Sequence, residues 1–312
     1  METAFEEGKR LARQYRGSHK ALTVKTMLDQ LIIQPRPPSP PPCSLGNVLV
    51  SEPKSAKDEL EAEDYVKNDQ IDSAIAIYQR IHPVSVSILL RLGQLYADKK
   101  GDYGNALYYY IQALRIQEKT AEDMSDTLTR IASVHYERRE FDLALDYHTS
   151  ALQLCESVNP LNLASIATNL VGIANAHRAK NELSEALDYA KRALTIRESI
   201  EPIDEASVGK SLGTLANIYL ELGDNTEALQ AGMRAFDIFQ RILPSNSPES
   251  AGLLNNLGAI KLRQGDIAEA RQYFEQSIRI YRQILPESHP YIAKLKNNIE
   301  FVSRMQQKEL EN

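Results

Sequence analysis

The chain has 312 residues, 43% of them hydrophobic and 25% charged, which suits one large or two ordinary soluble domains. Its net charge of −6 argues against a nucleic-acid binder, which usually carries a basic stripe. Two cysteines are too few for a disulfide framework, and no stretch approaches the ~18 apolar residues of a membrane span. Together with an N-terminus that lacks the secretory pattern, these features predict a cytoplasmic protein without nucleic-acid or membrane partners.

Two segments precede the main body of the chain. Residues 1–34 are predicted to form an N-terminal helical segment, since Ala21, Val24, Leu28 and Leu31 give an apolar stripe. Residues 35–55 are predicted to be a proline-rich linker that begins with Pro-Arg-Pro-Pro-Ser-Pro-Pro-Pro and favours a stiff polyproline II helix. This tract is interpreted either as a spacer or as a ligand, at residues 35–42, for a proline-binding module.

The rest of the chain repeats itself with a period of 42 residues, which is the strongest signal in the sequence. Two series keep this spacing without error: Pro160, Pro202, Pro244 and Pro286, and Ala144, Ala186, Ala228 and Ala270. The pair Asn255-Asn256 also recurs 42 residues later as Asn297-Asn298. One supersecondary unit has therefore been copied.

The copied unit is predicted to be a pair of helices. Apolar residues recur at spacings of three and four from Leu215, stop at Gly223-Asp224, and resume by Ala228. The same pattern surrounds Gly265-Asp266, and an earlier copy around Gly101 has one extra residue in its turn. Ser247 before Pro248 is a typical helix start.

The residues at fixed positions of the unit resemble the tetratricopeptide repeat. One copy carries Leu92, Gly93, Tyr96, Gly101, Tyr103, Ala106, Tyr110 and Ala113, and another carries Leu215, Ala216, Tyr219, Gly223, Ala228 and Ala235. The resemblance implies an all-α fold, a right-handed superhelix (α-solenoid) of about six helix-turn-helix repeats. The solenoid is expected over residues 56–312, with a C-terminal capping helix at 290–308.

The long period resembles one branch of this family. Leu-Pro-x-x-x-Pro at Leu243–Pro248 and again at Leu285–Pro290 looks like the repeats of kinesin light chains. Those repeats bind cargo and partner proteins and have no chemistry of their own. The sequence lacks the long N-terminal heptad segment of a kinesin light chain, so the resemblance implies the repeat type and not a motor.

Residues with catalytic potential are few. His135 and His177 lie 42 residues apart at a position where the family has Tyr, which favours packed aromatic substitutes over a shared zinc site. Cys155 is interpreted as a buried free thiol, and the sequence has no Gly-x-x-x-x-Gly-Lys-Ser/Thr phosphate loop. The sequence therefore predicts no enzyme activity, no metal and no cofactor.

The resemblance places function on a concave groove lined by the first helices of the hairpins. By phase, the side chains expected to face it are Arg91, Gln94, Arg130, Ser133, Asn175, Arg178, Lys210, Asn217, Asn255 and Asn256. Asn amides can bind a peptide backbone and Arg can bind a carboxylate. We therefore expect a scaffold or adaptor that binds an extended, mildly acidic peptide or a partner helix. The alternative is a regulatory or targeting module of an enzyme on another chain, or one lost from a truncated multidomain protein.

Overall fold

A computed structural model describes residues 55–157, 161–287 and 289–311 of the chain. The predicted helical segment at residues 1–34 lies outside these residues, and so does the predicted proline-rich linker at 35–55 except for Ser55, which begins the first helix. The helices are α1 (Ser55–Lys67), α2 (Ile71–Tyr78), α3 (Val86–Gln94), α4 (Tyr103–Thr120), α5 (Ser125–Glu137), α6 (Phe141–Ser157), α7 (Leu163–Ala179), α8 (Leu183–Ser199), α9 (Glu205–Leu222), α10 (Asn225–Ile242), α11 (Pro248–Gln264), α12 (Ile267–Ile284) and α13 (Pro290–Glu311). In the described part of the chain, no helix is long and apolar enough to cross a membrane.

The helices form six consecutive hairpins followed by α13, so the predicted all-α repeat fold is confirmed. Contacts between the described residues divide them into two compact units, one that extends to Ser165 and one that begins at Ile166. The described part of the first, here the N-terminal unit, contains α1 to α6. The second, the C-terminal unit, contains most of α7 and all of α8 to α13.

Short polar side chains and glycines set the helix ends. Asp224 accepts a hydrogen bond from the backbone N–H of Glu227, and Ser247 accepts one from Ser250, so both cap the helices that follow them. The start predicted at Ser247-Pro248 is thereby confirmed. Gly223 ends α9 with a φ of 85°, a left-handed conformation that glycine adopts without the steric cost of a Cβ.

The extra residue of the second hairpin lies inside a helix. The sequence pattern assigned it to the turn near Gly101, but α3 instead continues into a π-helical segment, Leu95–Lys99. A π-helical turn accommodates one additional residue within the helix. The turn then closes as in the other hairpins, with the backbone N–H of Asp102 bonded to the carbonyl of Tyr96 at 2.9 Å.

Small residues on the first helix of each hairpin allow the second helix to approach closely. The ring of Phe274 on α12 lies against Gly258 on α11, and a Cβ added to that glycine would be only 2.7 Å from the ring. The ring of Tyr110 fills the corresponding space above Gly93. Two other first helices have the fully buried Ala132 and Ala174 at this position, and the residues equivalent to Phe274 are then His148 and Ala190.

The final helix covers the open end of the C-terminal unit. Ile292, Leu295 and Val302 are buried, and they pack in one cluster with Phe274 and Ile278 of α12. Each hairpin exposes an apolar face that its neighbour must cover, and the last hairpin has no further neighbour. The helix α13 therefore serves as the predicted cap on one face and leaves its opposite face for other contacts.

Candidate functional site

The N-terminal unit carries a cavity of about 420 Å³ on its first-helix face. Three of the predicted groove residues, Gln94, Arg130 and Ser133, line this cavity together with Tyr110. Arg130 is held by Asp126 one turn earlier, with Nε 2.9 Å from the carboxylate oxygen. Burial raises the pKa of Tyr110 to about 12, so its hydroxyl stays protonated at neutral pH.

Arg91 does not line that cavity, because it is committed to a neighbouring helix. Its Nε donates to Oε1 of Glu63 on α1, and its Nη2 donates to Oε2 of the same carboxylate, both at 2.7 Å. The two side chains therefore form a bidentate ion pair. Tyr78 also donates a hydrogen bond to Glu63. Burial alone would raise the pKa of Glu63, but the hydrogen bonds from Arg91 and Tyr78 outweigh it and lower that pKa. A partner could reach the Arg91 guanidinium only by competing with this internal carboxylate.

A larger cavity, of about 640 Å³, lies on the first-helix face of the C-terminal unit; we call it the amide groove. It brings together four predicted residues, Arg178, Asn217, Asn255 and Asn256. The other two predicted residues of this unit do not line it: Asn175 is half-buried on α7, and Lys210 is exposed on α9.

Three asparagines of the amide groove are hydrogen-bonded in series. Asn298 Nδ2 donates to Asn255 Oδ1 at 3.3 Å, and Asn255 Nδ2 donates to Asn256 Oδ1 at 3.2 Å. An amide side chain has two donor hydrogens and an oxygen with two lone pairs, so each member of the series keeps unused bonding capacity. The series therefore presents further donors and acceptors along α11 and the final helix, α13.

The charges that line the amide groove are mostly positive. The lining includes three cations, Arg178, Arg263 and Lys294, and one carboxylate, Glu221. The Oε1 atom of Glu221 lies 2.6 Å from Nη1 of Arg178. The Nε of Arg178 is buried and finds no hydrogen-bond partner within the described residues. Arg263 donates to the carbonyl of Leu220, and no ion pair of Lys294 is found in the part of the chain that the structure describes. This composition favours a ligand with negative charge.

Several residues of the amide groove were not among those predicted. Asn298 could have been found, because Asn297-Asn298 copies Asn255-Asn256 at the 42-residue period. Lys294 and Tyr291 have no such counterpart, since the positions 42 residues earlier hold Gly252 and Glu249. Arg263 was not predicted either, because it lies in the last turn of α11, beyond the expected groove positions.

The two in-phase histidines are packed inside their hairpins. The His135 ring stacks on Tyr147 with centroids 5.2 Å apart, and its Nδ1 lies 2.6 Å from the carboxylate of Glu140. His177 repeats both contacts, with Tyr189 and Glu182. The interpretation as packed aromatic substitutes is confirmed for both. Within the described residues, no group of three or more His, Cys, Asp or Glu side chains could hold a metal ion.

Cys155 is buried, as expected, near the end of α6. Burial raises the pKa of its thiol, so the thiolate needed for nucleophilic attack is disfavoured at neutral pH.

His135 should make stability depend on pH. Burial lowers its pKa although the bond to Glu140 opposes that shift, and Arg138 lowers it further. At pH values below about 6.5, the His135 side chain therefore binds a proton more readily in the unfolded chain than in the folded chain. The free energy of unfolding accordingly falls as the pH decreases through this range. We expect His135→Phe, which keeps the stacked ring, to reduce this slope, at most about 1.4 kcal/mol per pH unit for one proton. Urea unfolding between pH 7 and pH 5 measures it, and equal slopes for both proteins would contradict the assignment.

Comparisons with known proteins support the fold. No curated protein matches the chain in sequence. Solved structures match at low identity, and such likeness shows the fold alone. The Cut9–Hcn1 hetero-tetramer of the APC/C matches with a TM-score of 0.63 and 13% identity, covering 80% of this chain and 43% of that one. A Rap protein complexed with competence and sporulation factor matches with a TM-score of 0.55 and 16% identity, covering 80% and 75%.

A third structure carries repeats of the expected type. It contains nearly identical TPR-like repeats of a putative kinesin light chain from P. anserina, with a TM-score of 0.51 and 19% identity, covering 64% of this chain and 95% of that one. In sequence, family models of the tetratricopeptide repeat match residues 86–120, 123–199 and 207–283. Because these matches span more than half of the chain, it belongs to the tetratricopeptide repeat family.

Proposed function

We propose that the protein is a non-enzymatic scaffold or adaptor that binds an extended, mildly acidic segment of a partner protein in the amide groove. Tetratricopeptide repeats are protein-interaction modules, and the family assignment supports that general role. The observation that carries the specific proposal is the series Asn298–Asn255–Asn256 bordered by the cations Arg263 and Lys294.

The chemistry of the groove suits an extended backbone. Peptide N–H and C=O groups can pair with the unused oxygens and hydrogens of the three amides, with little regard for the ligand's side chains. Lys294 and Arg263 can then interact with carboxylates on the ligand. Glu221 neutralises part of the charge of Arg178, so Arg263 and Lys294 supply most of the uncompensated positive charge of the groove.

Two of the structural neighbours are complexes. One is a Rap protein complexed with competence and sporulation factor, and the other is the Cut9–Hcn1 hetero-tetramer. They illustrate that similar helical arrays associate with partner molecules. We also propose repeats of the kinesin light chain type and a cytoplasmic location. The cavity lined by Gln94, Arg130 and Ser133 is proposed as an additional contact with the partner protein. The proline-rich tract at residues 35–42 stays a candidate ligand for a proline-binding module.

Removing two amides should weaken peptide binding. A display library of random 16-residue peptides is selected on the full chain, and the affinities of the synthesised peptides are measured by fluorescence anisotropy. We expect Asn255→Ala with Asn298→Ala to weaken binding about tenfold, because two net hydrogen bonds contribute roughly 1–3 kcal/mol. Asn297→Ala is the matched control, since Asn297 is exposed on the same helix and does not line the groove.

Two results would contradict the proposal. The first is a selection in which every peptide binds the double variant and the wild type equally. The second is a set of selected peptides that carry net positive charge. Capture of partners from cells tests the regulatory-module alternative. That alternative would be favoured if the wild type captures an enzyme in stoichiometric amounts and the double variant does not.

A further inference from the structure

A second cavity, of about 540 Å³, opens on the opposite side of the hairpins of the C-terminal unit, between the second helices α10 and α12; we call it the outer cavity. Its floor is apolar and includes Phe236, Phe239, Leu254 and Ile280. Phe239 and Leu254 are buried, so the floor belongs to the core of the unit. The volume lies within the range of ordinary ligand sites.

The rim of the outer cavity is polar and carries one charge. Gln240, Gln276 and Gln283 surround the opening, and Arg279 is the only charged side chain among the residues that line it. Arg279 is exposed, and no ion pair of it is found in the described ranges. An unpaired guanidinium beside an apolar floor is complementary to a carboxylate next to an apolar group.

In the preceding repeat, ion pairs cross the positions that correspond to the rim of the outer cavity. Arg234 on α10 pairs with Glu198 on α8, and Arg241 lies 3.3 Å from Glu205 at the start of α9. Forty-two residues later, the positions of Glu198 and Arg234 hold Gln240 and Gln276.

The other ion pair is lost in the same way. The positions of Glu205 and Arg241 hold Ser247 and Gln283, which carry no charge. At the same time, Arg279 stands where the preceding repeat has Asp237. One repeat thus carries internal charge pairs on this surface, and the next has uncharged side chains in their place, with Arg279 as the single cation among the residues that line the outer cavity.

From these observations we infer that the outer cavity is a second binding site, for a short segment of a partner protein that presents a large apolar side chain close to a carboxylate. The apolar side chain occupies the floor at Phe239 and Leu254, and the carboxylate pairs with Arg279. The glutamine amides bind the backbone of the segment. The site lies on a different face from the amide groove and does not depend on it.

An array of synthetic peptides tests this inference. Each peptide places Leu or Phe one to four residues from Glu in a Gly-Ser background, and matched peptides lack either the apolar residue or the Glu. The labelled full chain is applied to the array, and the affinities of retained peptides are measured in solution by fluorescence anisotropy. We expect retention only where both residues are present.

Variants locate the binding. Arg279→Asp, which copies the preceding repeat, should weaken binding at least tenfold, and Arg282→Asp should not, since Arg282 is bonded to Glu287 outside the cavity. Gln240→Glu with Gln276→Arg restores the ion pair and should also abolish retention. The amide-groove variant Asn255→Ala with Asn298→Ala should bind normally, so the two sites fail separately.

The inference is overturned if no peptide of the array depends on Arg279, or if apolar peptides without Glu bind equally well. It is also overturned if the variant Gln240→Glu with Gln276→Arg, shown by circular dichroism to be folded, binds like the wild type.

Discussion

Phe274→Ala is expected to lower the free energy of unfolding by about 3–5 kcal/mol, the usual cost of removing a buried aromatic ring. Phe274 is 1% exposed, and its ring occupies the space that Gly258 leaves on α11. No flexible side chain opposite can move in to fill the gap, since glycine has none. Urea unfolding followed by circular dichroism measures the loss. Tyr273→Ala is the control, because Tyr273 is only half-buried and should cost much less.

The same contact predicts an unusual response at the glycine. Gly258→Ala should destabilise by about 1–3 kcal/mol, because the new Cβ would lie 2.7 Å from the Phe274 ring. In the Phe274→Ala background it should cost nothing, which a double-mutant cycle would show as coupling. Gly213→Ala is the matched control: its Cβ meets nothing within 4 Å, so helix propensity should raise stability by roughly 0.5–1 kcal/mol. Equal effects of the two glycine variants would contradict the packing.

Much of this packing could be predicted from the sequence. The 42-residue recurrence of Ala228 and Ala270 indicates a copied pair of helices, and both alanines are fully buried in the structure. The extra residue near Gly101 was misplaced for a physical reason. The spacing of apolar residues shows that a residue has been added, but a turn and a π-helical segment accommodate it equally well in sequence.

The site could be predicted less completely. Phase along a helix identified Asn255 and Asn256, since it determines which face a side chain occupies. It could not show that Arg91 is paired, because its partner Glu63 comes from a different hairpin. The contribution of Lys294 could not be predicted either, because the position 42 residues earlier is Gly252 and gives no sign of a cation.

Reversing two charges of the amide groove should have the largest effect on binding. Arg263→Glu with Lys294→Glu is expected to weaken an acidic peptide selected on the wild-type chain about 100-fold at low salt. Both cations line the groove, and the change places two carboxylates against those of the ligand. Because salt screens exposed charges, the difference should shrink to about tenfold in 0.5 M NaCl. Fluorescence anisotropy over a salt series measures both numbers.

A second double variant separates this local effect from the net charge of the protein. Arg271→Glu with Lys296→Glu changes the total charge by the same amount on the same C-terminal unit, but neither residue lines the groove. It should alter affinity by less than about threefold, as expected for screened charges farther from the ligand. If both double variants weakened the peptide equally, the attraction would come from the overall field of the protein, and the assignment of Arg263 and Lys294 to the site would be wrong.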